Sequence, residues 1–332
     1  MNKLIKFAAE THDLSLPQIR QILEQDESDG YLFATADMVR RIYKGDKVRL
    51  IALLEFSNVC HNHCHYCGLR SDNGCLFRYS LSAEEIMLHA EMAKAMGFKT
   101  IALQSGESSV YSPAELLAIV DMLKAKQFEV VLSCGELDDR YIETLKNAGL
   151  DGYLLKIETT DQELYKNLHP GQKWENRNHQ ICLMKQRGYY VATGNIIGLP
   201  GQTISSIAED ILYFKTVGAN FIGIGPLMPQ KDTPLHNCPK GDINLVLKTM
   251  ALCRILMPEA DIVTTTALEA LDPDGQKLGL AVGANVIMPN ITNDCVRQNY
   301  KLFDNKENTN IAVNGLAQIT QNIIQCNRRV AF

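Results

Sequence analysis

The sequence predicts an α/β fold: a (βα)8 TIM-type barrel with an N-terminal helical extension and a C-terminal tail. From residue 49 onward, apolar runs of strand length alternate with amphipathic stretches of helix length. Eight such runs can be read before residue 290, the count that closes a parallel sheet on itself. The helical stretches also carry start and stop residues at the appropriate ends. A doubly wound open sheet is the alternative that the same alternation allows.

Each element has its own local reason. The first 48 residues read as helical and precede the barrel. Residues 49–56 (RLIALLEF) are the first strand. Ser82 and Glu85 form a capping box: the serine accepts from an orphan backbone N–H and the glutamate reaches back. That helix ends near Gly97, and 100–103 is the second strand. Ser112 and Glu115 repeat the box, with Pro113 at the first helical position. Strand three is 129–133, and the helix 139–148 is closed by Gly149. Strand four is 152–157, followed by a helix over 176–187. Strand five is 189–197, and the helix 204–217 ends at Gly218. Strand six is 221–224, then a helix over 243–256 and strand seven over 261–265. A short helix over 274–281 leads to strand eight at 284–288. The tail is irregular from 291 and helical over 312–324. The expected organisation is an extension 1–48, a barrel 49–290, and a C-terminal extension 291–332 packing on the barrel.

Composition narrows the function. The chain has 332 residues, 33 Lys+Arg against 38 Asp+Glu, and a net charge of −5. Mild acidity argues against broad nucleic-acid binding, which needs many cationic contacts to phosphate. No apolar run approaches the roughly 20 residues that span a bilayer, so no membrane partner is expected. Residues 1–10 lack the apolar centre of a secretory signal, and a cytoplasmic location is expected. In that compartment thiols stay reduced, and clustered cysteines read as metal ligands rather than disulfides.

The chain has 10 cysteines, and three of them, Cys60, Cys64 and Cys67, crowd into the loop after strand one. Barrel active sites lie at that end of the strands. Spacings of four and three let three thiolates fold around one small metal object. Zinc is one reading, with His61, His63 or His65 completing the shell, although structural zinc commonly uses two separated pairs. The other cysteines are isolated, and free cysteine often serves as a small buried hydrophobe. Cys75, Cys238 and Cys295 lie on loops where a ligand or substrate role is open. There is no G-x-x-x-x-G-K-[ST], no H-E-x-x-H and no G-x-S-x-G.

The C-x3-C-x2-C spacing with an aromatic at Tyr66 resembles the signature of the radical SAM enzymes. Further segments resemble one branch, the FeFe-hydrogenase maturases of the HydE type. They include Glu55–Cys60 (EFSNVC), Tyr66–Arg70 (YCGLR), Leu103–Glu107 (LQSGE), Gly198–Thr203 (GLPGQT) and Gly283–Asn290 (GANVIMPN). The likeness runs from about Leu50 to Asn290. It implies one 4Fe-4S cluster on Cys60, Cys64 and Cys67, with S-adenosylmethionine (SAM) chelating the iron left open. One-electron reduction of SAM then yields methionine and a 5′-deoxyadenosyl radical, chemistry that the cofactor carries and the protein shields.

The same resemblance implies a cofactor-binding set. Gln104, Ser105 and Gly106 end strand two and can bind the amino-acid portion of SAM. Glu158 can hold its ammonium or a ribose hydroxyl, and Arg177 can fork onto its carboxylate. Tyr66, Lys156 and Ile196 complete the set, and the segment from Gly194 to Gly198 can pass close to adenine, as glycine permits close approach. The plain alternatives are a rim salt bridge for Glu158, a solvated helix residue for Arg177 and a barrel bend for the glycines. Thr265, Thr266 and Tyr300 match the substrate end, and no catalytic residue is expected beyond the cluster and SAM. The implied substrate is a small iron complex carrying CO, cyanide and cysteine. The implied partners are an external one-electron reductant and other hydrogenase maturases.

Three features depart from the maturase pattern. Lys156 stands for an arginine, which keeps charge but loses the bidentate fork. Glu269 replaces a glycine. Residues 305–324 lack the paired cysteines of an auxiliary cluster, so one cluster is expected. A paralogue of the methylornithine or biotin synthase branch remains an alternative, as does a non-catalytic iron–sulfur carrier. Biotin synthase fits poorly, since none of Gln104, Val131 and Ala192 is the cysteine its second cluster needs.

Overall fold

The computed structural model describes residues 1–306 and 312–332. Three helices open the chain: α1 (Asn2–Thr11), α2 (Leu16–Glu24) and α3 (Asp29–Lys44). The first strand is split into β1 (Lys47–Leu50) and β2 (Ala52–Ser57). Then come α4 (Ala83–Ala95), β3 (Thr100–Ser105), α5 (Pro113–Ala125), β4 (Glu129–Ser133), α6 (Asp139–Asn147) and β5 (Gly152–Leu154). They are followed by α7 (Gln162–Leu168), α8 (Trp174–Gln186), β6 (Tyr190–Ile197), α9 (Ile204–Thr216), β7 (Phe221–Pro226) and α10 (Ile243–Leu256). The chain finishes with β8 (Asp261–Ile262), α11 (Thr266–Leu271), α12 (Gly275–Ala281), β9 (Val286–Ile287), α13 (Asp294–Arg297), α14 (Ala312–Gln325) and β10 (Arg329–Ala331).

Strands β2 to β8 form one parallel sheet in sequential order. The ring is closed by β9: Arg49 and Leu50 pair with Val286 and Ile287, and bridges join Val263 to Val286 and Leu53 to Asn290. The expected barrel is therefore the observed fold, and the open sheet is excluded. Alternate residues point inward, as strand periodicity requires. Ile51, Leu53, Ala102, Ala192, Phe221, Val263 and Val286 form one apolar layer across the interior.

The capping boxes at Ser82 and Ser112 are both formed. The N-terminal helices pack on the outside of the barrel. Buried Lys248 on α10 holds them by ion pairs to Asp26 at 2.8 Å and Asp29 at 3.3 Å. Four expectations need correction. Strand four is Gly152–Leu154 rather than 152–157. Strand one breaks at Ile51 because its partners change: β1 lies between β9 and β10, whereas β2 pairs with β3. Strand seven is 261–262 rather than 261–265, because Thr265 turns out of the strand and caps α11 through Leu268 N. The tail ends in a strand, β10, which pairs in parallel with β1. Among the described residues no helix is long and apolar enough to cross a membrane.

Candidate active site

A cavity of about 350 Å³ opens at the C-terminal ends of the strands. The cysteines and the side chains assigned to SAM and substrate from sequence line it, whereas Gly194 and Gly198, expected beside adenine, do not. Cys60, Cys64, Tyr66 and Cys67 enter from the loop after β2, and Gln104, Ser105 and Gly106 from the end of β3. Lys156 and Glu158 follow β5, Arg177 reaches in from α8, and Ile196 comes from β6. Thr265, Thr266 and Tyr300 stand on the remaining wall. Cys75, Cys238 and Cys295 do not line the cavity, and neither does Glu269.

Gly106 explains how the cysteine loop comes so close. A side chain there would collide with the Val59 carbonyl and with Cys60 Cβ. Gly106 N instead donates to Ser57 O at 3.1 Å, fastening the end of β3 to the start of the loop. Gly194 answers the barrel-bend reading, because its missing Cβ makes room for the Gly223 backbone across β6 and β7.

Burial pushes all three thiols above their ordinary pKa, Cys64 to about 12. Neutral thiols are the resting state of such a pocket, and a bound cation would reverse that preference. Among the described residues no three His, Cys, Asp or Glu side chains are grouped to hold a single metal ion. None of the three histidines of the zinc reading lines the cavity; His61 pairs instead with Glu107 at 3.2 Å and His63 with Asp72 at 2.8 Å.

Tyr66 is held by an unambiguous bond. His169 Nδ1 lies 2.8 Å from the Tyr165 carbonyl, so it must donate. Burial holds His169 neutral, with a pKa down at about 3. Its Nε2 is therefore an acceptor, and the Tyr66 hydroxyl donates to it at 2.8 Å.

The charged groups are less self-contained. Glu158 has φ +64°, a left-handed conformation rare for a side chain of this size. The backbone on both sides enforces it: Glu158 N bonds Gly194 O at 3.0 Å and Ile196 N bonds Glu158 O at 3.1 Å. Strain of this kind, held by surrounding structure, is a signature of functional positions. Lys156 Nζ lies 2.9 Å from Glu158 Oε2 as an ion pair, yet that buried oxygen accepts no hydrogen bond.

Arg177 is buried rather than solvated. Although burial opposes its charge, Tyr165 and the Glu136 and Glu107 carboxylates hold its pKa above the ordinary value. Its Nε donates to Glu136 at 2.8 Å, Nη1 to the Lys156 carbonyl at 3.1 Å and Nη2 to Gln172 Oε1 at 2.9 Å. Two of its five N–H hydrogens make no hydrogen bond to protein, although Nη2 also lies 3.8 Å from Glu107 Oε2. Glu136 and Gln172 were not identified from the sequence. Glu136 lies on a distant loop and meets Arg177 only through the fold; Gln172 precedes Arg177 by five residues, but no recognised motif marks it.

At the far wall Thr265 is partly committed. Its hydroxyl lies 3.3 Å from the Ile224 carbonyl and accepts from Leu268 N. Among the described residues, the Thr266 and Tyr300 hydroxyls make no hydrogen bond to protein.

A parallel barrel whose first loop presents three cysteines to a cavity with a strained acid and a buried arginine defines a cofactor enzyme of one class. Residues 54–214 match the model of the radical SAM superfamily, and 224–311 match that of the biotin and thiamin synthesis associated domain. The chain belongs to the radical SAM superfamily and is a radical SAM enzyme. Within it, the chain is 46% identical over 275 residues to the "[FeFe] hydrogenase maturase subunit HydE" of Thermotoga maritima, covering 83% of this chain and 79% of the relative. It is 29% identical to 3-methylornithine synthase of Methanosarcina acetivorans, over 85% and 80% of the two chains. The crystal structure of methylornithine synthase superimposes with a TM-score of 0.85 at 25% identity, covering 99% of this chain and 97% of that one. The superfamily implies a 4Fe-4S cluster and SAM.

Proposed function

We propose that this chain cleaves SAM reductively and acts in the maturation of FeFe-hydrogenase, on a cysteine-ligated iron carbonyl cyanide complex. The observation that carries the reading is one cavity lined by three cysteine thiols, the strained Glu158 and the buried Arg177. The likeness to the HydE subunit supports the choice of pathway.

In this reading Cys60, Cys64 and Cys67 hold a single 4Fe-4S cluster. When bound, the cluster and SAM supply one-electron cleavage of the SAM C5′–S bond to a 5′-deoxyadenosyl radical, with an external reductant as the electron source. Each thiol gives up its proton as the metal charge replaces it, so assembly releases protons. Glu158 offers its buried Oε2 to the SAM ammonium, and Lys156 yields that position. The two spare hydrogens of Arg177 take the SAM carboxylate. Gln104, Ser105 and Gly106 supply polar groups along the amino-acid portion. Ile196 offers an apolar wall to adenine, and Tyr66, tied to His169, is a fixed wall beside the thiols. Thr266 and Tyr300 bring free hydroxyls to the substrate, and Thr265 orients the turn that carries Thr266. Other maturases are the expected partners in passing the iron unit on.

The test is anaerobic reconstitution followed by reduction with excess SAM. About four irons per chain are expected, with formation of 5′-deoxyadenosine. Cys64→Ala should abolish product, and the iron complex should raise the rate above the uncoupled level. Product from Cys64→Ala would refute the cysteine assignment. Stimulation by a basic amino acid alone would replace the maturase reading with one of the methylornithine synthase kind.

A further inference from the structure

We propose that Gln172 is a positioning residue that sets the reduction potential of the cluster through an N–H···S bond to Cys64. The inference rests on the reading that Cys64 is a cluster ligand. Gln172 Nε2 lies 3.2 Å from Cys64 Sγ. The direction of the amide is determined by its other end. Gln172 Oε1 accepts from Arg177 Nη2 at 2.9 Å and from the Tyr165 hydroxyl at 3.4 Å. A guanidinium has donors only, so the oxygen must face Arg177 and the NH2 group must face the sulfur.

The backbone that carries this amide is equally constrained. Gln172 N bonds the His169 carbonyl at 3.0 Å across a turn in which Gly171 has φ +83°. The His169 ring stacks on Tyr165 with centroids 4.0 Å apart. Arg177 is itself anchored on Glu136 at 2.8 Å. Gln172 therefore links a fixed cation to one sulfur of the cysteine loop, and the cation polarises the amide toward the sulfur.

The chemical consequence follows from charge. Reduction adds one electron to the cluster and makes its thiolates more negative. A donor aimed at a ligating sulfur favours that state, so it raises the potential. Cys60 and Cys67 receive no comparable side-chain donor among the described residues, so the effect is confined to one of the three ligands. The electron comes from the external reductant; Gln172 itself forms and breaks no covalent bond.

The experiment compares wild type, Gln172→Leu and Gln172→Glu, each reconstituted anaerobically and titrated with dithionite under EPR. Gln172 is only half-buried, so leucine is tolerated there. At the poise that half-reduces wild type, Gln172→Leu should show a reduced-to-oxidised ratio about tenfold lower, about 59 mV for one electron. Gln172→Glu, which loses the donor and adds negative charge, should fall further. The Fe–S(Cys) stretching bands should shift in D2O for wild type and lose that part of the shift in Gln172→Leu. A wild-type potential and isotope shift in Gln172→Leu, or a higher potential in Gln172→Glu, overturns the proposal. Failure of the cluster reading looks different: wild type assembles no cluster, or Cys64→Ala retains the full signal.

Discussion

The two ends of the barrel handle their polar groups in opposite ways. At the N-terminal end, Asp261 accepts from Lys44 at 2.6 Å, Tyr190 at 2.6 Å and Asn285 at 2.7 Å, and pairs with Arg49 at 3.4 Å. Arg49 also meets Glu129 and donates to Thr100 at 2.8 Å. Every group in that plug is matched within the protein. At the C-terminal end, Glu158 keeps an oxygen without a hydrogen bond and Arg177 keeps two hydrogens, and among the described residues the Thr266 and Tyr300 hydroxyls find no partner. A closed network of buried polar groups stabilises; an incomplete one costs stability and is retained where a ligand completes it. One end closes the barrel and the other receives reactants.

The largest effect on stability should come from breaking the closed end. Asp261→Ala takes the shared acceptor from an ammonium, a guanidinium, a hydroxyl and an amide, although Lys44 keeps the Glu259 carbonyl and Arg49 keeps Glu129 and Thr100, and should cost about 3 kcal/mol. Urea unfolding measures it, and SAM affinity of the folded fraction should not change. Burial works to raise the Asp261 pKa, but Lys44 and the other donors hold it below the ordinary value. A depressed carboxylate contributes stability above its unfolded pKa and loses it as pH falls through the folded pKa. The contribution of this plug should therefore fade only in acid, below about pH 4. A large loss of SAM affinity in folded Asp261→Ala would mean that the two ends are coupled.

A buried carboxylate on the outer side of the sheet gives the opposite pH dependence. Asp210 on α9 accepts from Thr160 N and Oγ1 at 2.7 Å and from Asn195 Nδ2 at 2.8 Å, yet burial raises its pKa to about 6. The folded chain thus binds this proton more tightly than the unfolded chain. Stability from it is fully present below about pH 4 and is lost as pH rises through about 6, about 3 kcal/mol in all. Asp210→Asn should remove that slope and stabilise the protein at pH 7. The substitution is structurally compatible because Asn195 Oδ1 is buried without a partner, so the Asn195 amide can flip and accept from the new side chain. A pH–stability curve between 4 and 7 that matches wild type would refute this account.

What could be read in the sequence was local or contiguous. The helix starts at Ser82 and Ser112 are decided by two side chains three residues apart, and both formed as expected. The cysteine loop was legible for the same reason: three ligands within eight residues are a pattern before they are a structure. Strand seven was overextended because Val263 and Thr264 look like strand, while Thr265 is used as a cap. The strand β10 was invisible, since Arg329–Ala331 is too short to show a period and pairs with β1 from the far end of the chain. Gln172 meets Cys64 across 108 residues, and the burial of Arg177 depends on Glu136 and Lys156 from other loops. Such contacts are made by the barrel, not by any segment of it.

The open end can be probed without disturbing the fold. Glu158→Gln keeps the shape and the left-handed backbone but removes the charge. Loss of a hydrogen bond between charged groups costs about 1.5–3 kcal/mol, so SAM affinity should fall roughly 10- to 100-fold. Equilibrium binding to the reconstituted, unreduced protein reads this directly. Unfolding stability should scarcely change, because Glu158 Oε2 makes no hydrogen bond that the amide would lose, and the Lys156 ammonium has access to solvent. A drop in stability with intact SAM affinity would reverse the assignment. Glu158 would then belong with Asp261, as one more closed ion pair.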